Sequence, residues 1–82
     1  MIGSDGIYAY KITKWDVNWA RVAEEKYYWN VHKAVLAFKE ITKAHYTQKY
    51  FDKVVDEVLG GQIQAFYRTD YSYYLEEIEI ED

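Results

Sequence analysis

The chain has no cysteine and no proline, and only four glycines in 82 residues. Without cysteine there is no disulfide to staple a small fold and no thiolate for nucleophilic chemistry, and the redox compartment leaves no trace in the sequence. Without proline and with glycine so sparse, no linker, low-complexity block or repeat of useful period divides the chain. No apolar run approaches the roughly 20 residues of a membrane-spanning helix. The N-terminus carries no basic segment leading into an apolar core. The expectation is one soluble domain, residues 1–82, in the cytoplasm, or in the host cytoplasm if the chain is viral.

Catalytic motifs are also missing. His32 and His45 stand apart and form no i, i+4 pair. Ser4 and Ser72 have no nucleophile motif around them, and Gly60-Gly61 closes a helical pattern instead of opening one around a phosphate. Glu76 and Glu77 are adjacent, and adjacent strand residues point to opposite faces, so they do not form a carboxylate pair in regular strand. The sequence therefore predicts no enzyme activity, no cofactor and no metal.

What the chain does have is aromatic bulk: ten Tyr, three Trp and three Phe. Large aromatic side chains supply buried apolar area to a domain near the lower size limit for a self-sufficient core. Charge is the second feature. Residues 1–75 hold ten Lys/Arg against nine Asp/Glu, whereas Glu76, Glu77, Glu79, Glu81 and Asp82 put five negative charges into the last seven residues.

Hydrophobic periodicity gives a β-α-α-β-β order. Residues 1–6 read as a flexible lead-in. Ile7 to Thr13 alternates as a strand. From about Asp16 to Lys43, Ala20, Ala23, Tyr27, Val31, Ala34, Phe38 and Ile41 recur at spacings of three and four, as on one face of a long helix. The same helical wheel gathers Trp15, Trp19, Val22, Trp29 and Leu36 on the opposite side, a stripe suited to an oligomer or partner interface built around the tryptophans and Leu36. A break near Asn30 is the alternative, because Tyr27 to Val31 has strand-like composition. A second helix, capped by Thr47, places Phe51, Val54, Val55, Val58 and Leu59 on one face and stops at Gly60-Gly61. Strands follow at Gln62 to Arg68 and at about Tyr73 to Ile80. In the last one Tyr73 and Leu75 are odd while Ile78 and Ile80 are even, so a β-bulge at Glu76-Glu77 is needed to turn all four inward.

The expected fold is a small α+β domain with helices on one face of a three-stranded, largely antiparallel sheet. Its other face draws on Ala9, Lys11, Gln64, Phe66, Arg68, Tyr74 and Glu79. The acidic ending reads as a carboxylate row of Glu77, Glu79 and Glu81, extended by Asp82 and the C-terminal carboxylate, with Glu76, Tyr71, Tyr73 and Tyr74 as further partner-binding candidates beside it. Such a row suits the basic surface of another protein. By analogy of class, small acidic proteins of viruses and mobile elements, anti-CRISPR proteins among them, mimic nucleic acid to inhibit nucleic-acid-handling host proteins. The functional expectation is thus a non-catalytic protein–protein interaction module, homodimeric and of this inhibitory type. Its alternatives are a structural or regulatory homodimer and a direct nucleic-acid binder. The last is disfavoured by the near-neutral body and acidic end. A charged edge strand that only resists aggregation explains the acidic residues equally well.

Overall fold

The computed structural model describes residues 7–80. Four strands and two helices follow in the order β1 (Ile7–Asp16), β2 (Arg21–Tyr28), α1 (Val31–Thr42), α2 (Gln48–Leu59), β3 (Gln64–Tyr67) and β4 (Tyr71–Ile80). The strands form one antiparallel sheet in the order β2-β1-β4-β3. Both helices lie on one face of it, making a thin two-layer α+β domain of 44 × 31 × 16 Å.

The α+β class agrees with the sequence reading, but the three-strand, β-α-α-β-β order is corrected to four strands in β-β-α-α-β-β. The long helix from Asp16 does not form. Its first half is a turn followed by β2, and α1 starts only at Val31, where the Asn30 side chain accepts the Lys33 N–H at 3.0 Å. The misreading has a local cause. Asp16 Oδ1 accepts the N–H groups of Asn18 and Trp19 at 3.0 and 3.1 Å, the same contacts a helix N-cap makes, here closing a turn. Ala20 then adopts a positive φ of 51° and sends the chain back along β1. In β2 the register shifts between Lys14 and Trp15 of β1, leaving Ala23 without a partner. That bulge breaks the alternation by which a strand is recognised.

The second helix matches its signals. Thr47 Oγ1 accepts the Tyr50 N–H at 3.1 Å. At the other end Gly61, at φ 90°, lets the Gln62 N–H reach back to the Glu57 carbonyl at 2.9 Å. The same job at the end of α1 falls to a lysine: Lys43 sits at φ 58° and its N–H bonds the Glu40 carbonyl.

The core lies between the helices and one sheet face. Ala34, Val35 and Phe38 of α1 and Val54, Val55 and Val58 of α2 pack on Tyr10, Ile12, Tyr73 and Leu75. The bulge expected at Glu76-Glu77 is absent: β1 and β4 pair without interruption from Ile7↔Ile80 to Asp16↔Tyr71. Tyr73 and Leu75 therefore face the helices, and Ile78 and Ile80 face away. In β3 the inner residues are Gln64 and Phe66, paired with Leu75 and Tyr73, so the expectation that Gln64 and Phe66 lie on the outer face is reversed. Gln64 also donates to Glu57 of α2 at 3.1 Å, which ties β3 beneath that helix.

Candidate functional site

The helices cover one side of the sheet; among the described residues nothing covers the other. Strand pairing arranges that open face in rows. At one end Val22, Trp15, Ser72 and Tyr67 lie side by side across all four strands. The next row is Glu25, Thr13, Tyr74 and Ala65, followed by Tyr27, Lys11 and Glu76. Ala9 with Ile78 and Ile7 with Ile80 complete the far end. The face thus grades from aromatic, through charged, to aliphatic.

Its polar centre is a single lysine between two carboxylates. Lys11 Nζ stands 3.6 Å from Glu76 and 3.8 Å from Glu25. Pairs this long and partly solvated contribute little to stability. They leave the face with one more carboxylate than cations. Tyr27 donates to Glu25 at 3.4 Å, and Tyr67 meets Tyr74 edge to face with ring centroids 6.2 Å apart. Two small residues in the plane, Ala9 and Ser72, are buried only by their larger neighbours. Loops bound the aromatic end: Val17 N–H bonds the Asp70 carbonyl at 3.1 Å, and the Asn18 amide reaches the Asp70 carboxylate at 3.3 Å.

The acidic residues singled out in the sequence are divided by this geometry. Glu76 lies on the open face beside Lys11. Glu77 and Glu79 lie on the helix-bearing side, opposite Tyr10 and Tyr8 of β1. Glu81 and Asp82 fall outside the described residues. Burial, then the charge of Glu77 and a hydrogen bond with it, push the Tyr10 hydroxyl above the ordinary tyrosine value. β4 is not an edge over its whole length, since β3 pairs with it from Ser72 to Leu75. Of the flanking tyrosines only Tyr74 is on the open face. Tyr73 is buried in the core, and Tyr71 is half-buried with Lys14 Nζ 4.2 Å from its ring centre.

The tryptophan stripe does not exist as a helix face. Trp15 is in β1, Trp19 in the following turn and Trp29 just before α1; only Leu36 is helical. Trp19 and Trp29 are 73% and 71% exposed, so neither is a core residue. Of the residues assigned to the outer sheet face, Ala9, Lys11 and Tyr74 are there. Gln64, Phe66 and Glu79 are on the helix side, as is Arg68, which donates to the Thr42 carbonyl at the end of α1. The sequence reading does not place Val22, Tyr27, Tyr67, Ile78 or Ile80 on this face, although Val22 belongs to its tryptophan stripe. For Ile78 and Ile80 the signal is their parity against Tyr73 and Leu75 taken without a bulge; Val22, Tyr27 and Tyr67 reach the face only through the pairing of β2 and β3.

On the helix side, a surface recess of about 230 Å³ is lined by Leu36, Lys39, Tyr46, Thr47, Gln48 and Phe51. His32 stacks near Phe51, with centroids 6.5 Å apart, and His45 lies in the connection between the helices. Among the described residues no group of three His, Cys, Asp or Glu side chains is placed to hold a metal. No helix among them is long and apolar enough to cross a membrane, which leaves membrane crossing by strands unaddressed. Compared with protein-family models, curated proteins and solved structures, the chain has no significant match.

Proposed function

We propose that the protein is a non-catalytic protein-binding module whose working surface is the open face of its sheet. One observation carries this reading. A four-stranded sheet has the middle of one face covered by helices, while the other presents Val22, Tyr27 and Tyr67 exposed and Trp15, Tyr74 and Ile78 half-buried. Contiguous apolar faces of this kind mark interaction surfaces. Glu76, beside Lys11, sets the polar chemistry of the partner: an apolar protein surface that brings a cation opposite Glu76.

The inhibitor reading rests on different residues. Glu77 and Glu79 share the helix-bearing side two residues apart, about 6.8 Å along the strand, and support a carboxylate row aimed at a basic, nucleic-acid-handling protein. The two surfaces are on opposite sides of β4, so one set of variants separates them. Tyr74→Arg alters only the open face, and Glu77→Gln with Glu79→Gln alters only the other. Binding of protein, measured by co-sedimentation with wild type or either variant, is expected to be lost with Tyr74→Arg and kept with the double Gln variant. Loss in the Gln variant alone transfers the function to the acidic row. A wild type that binds neither itself nor another protein overturns both.

A further inference from the structure

Resting on that reading of the open face, we infer that its partner is a second copy of this chain, stacked face to face about a two-fold axis running parallel to the strands between β1 and β4. Such an axis lays β1 of one copy over β4 of the other and leaves the helices outside, as a four-layer dimer. The β1–β4 pairs fit this operation in both charge and size. Lys11, paired with Glu76 within the chain, comes to lie over Glu76 of the second copy, and the reverse contact follows by symmetry. Lys11 and Glu76 of the two copies then alternate in sign at the centre, each with two opposite neighbours that offset its desolvation, while each Glu25 lies farther out on β2, over Ala65 of the other copy.

Side-chain size alternates in the same way. Trp15 is opposite Ser72, Thr13 opposite Tyr74 and Ala9 opposite Ile78, so each large side chain would face a small one across the interface. Ile7 and Ile80 are matched in size and close the aliphatic end. An axis perpendicular to the strands through the Lys11–Glu76 row would instead bring Lys11 onto Lys11 and Glu76 onto Glu76, and is disfavoured by charge. Area is sufficient: with strands about 4.8 Å apart and about 3.3 Å per residue, the face has a flat footprint of about 500 Å². Two such faces reach the roughly 1,000 Å² of a specific interface before side-chain relief is counted.

Charge reversal across two chains tests this arrangement. Lys11→Glu and Glu76→Lys are each expected to be monomeric by light scattering, because each sets like charges over one another. Mixed in equal amounts they regain a particle of twice the 9.9 kDa chain mass, since every stacked pair is then of opposite sign. Far-ultraviolet circular dichroism checks that each variant is folded. If either variant fails to fold, Ile7→Cys and Ile80→Cys chains, which keep the charges and Tyr74, replace them. The native chain has no cysteine to interfere. A short bismaleimide is expected to join the two kinds of chain, sheet faces in aligned packing being about 10 Å apart. A wild type that stays monomeric at about 100 μM, enough to populate any dimer of micromolar Kd, overturns the inference. So does a mixture of folded variants that fails to associate, or a cysteine pair that does not cross-link. If wild type is monomeric but binds another protein through a Tyr74-dependent contact, the self-association fails while the interaction reading stands.

Discussion

Phe38 is the largest fully buried side chain, sealed between α1, α2 and the sheet. Truncation to Ala removes its packing and leaves a cavity, at a cost of about 3–5 kcal/mol. For a domain of this size that is most of the stability available. A Phe38→Ala chain is expected to show no cooperative thermal transition, or one at sharply reduced temperature, by circular dichroism. Arg68 works differently. Its guanidinium donates to the Thr42 carbonyl at the end of α1 and stacks over Phe66, 5.0 Å from the ring centre, pinning the helix to the β3–β4 connection. Arg68→Ala should destabilise by about 1 kcal/mol, since the contact is partly solvated. Urea denaturation should show a lower midpoint with an unchanged slope. Neither role is visible in sequence: Arg68 looks like a surface charge until β3 brings it to Thr42, 26 residues away.

At the scale of elements, two non-glycine residues among those described hold left-handed backbone, Ala20 in the β1–β2 turn and Lys43 at the end of α1. Such residues carry a steric penalty of about 1 kcal/mol that glycine does not. Lys43→Gly and Ala20→Gly are each expected to stabilise by about 0.5 kcal/mol once the greater freedom of glycine in the unfolded chain is counted. That corresponds to a rise of about 2–4 °C in Tm. A fall in Tm for Lys43→Gly would show that the lysine side chain contributes more than its backbone costs. The elements also show where local signals suffice. α2 has its cap, its apolar face and its terminal glycine within one stretch of sequence, and its ends and its buried Val54, Val55 and Val58 agree with the reading, whereas Leu59 is exposed. β2 has none of these. Its residues are exposed from Arg21 to Tyr27, and the bulge at Ala23 disrupts its period. Glu24, Glu25 and Lys26 have good helix propensity, so only pairing with β1 makes this segment a strand.

For the whole molecule, pH acts through buried tyrosines. Burial and then Glu77 raise the Tyr10 hydroxyl, and burial and then Tyr50 raise that of Tyr46. A raised folded value means that the neutral form is favoured in the fold. The stability is therefore intact below the unfolded tyrosine value of about 10 and is lost as pH climbs from there through the folded values. The protein should unfold more easily in alkali, and Tyr10→Phe should move the midpoint of alkaline denaturation to higher pH. A midpoint unmoved in Tyr10→Phe would exclude Tyr10 as a contributor. The association proposed above belongs to this scale too, for it depends on how β1 and β4 are juxtaposed and not on either strand alone.

The sequence by itself determined the α+β class, the second helix with both its ends, the inward Tyr10, Ile12 and Leu75, and the outward Ala9, Lys11 and Tyr74. These follow from periodicity and capping, which act over a few residues. The tertiary structure decided that residues 21–28 pair as a strand, that β4 runs straight through Glu76-Glu77, and which face β3 turns inward. Each depends on a partner strand distant along the chain, and a shift of one residue in pairing exchanges the two faces. For that reason the acidic run, continuous in sequence, is split by the fold: Glu76 joins Lys11 on the open face, while Glu77 and Glu79 stand on the other.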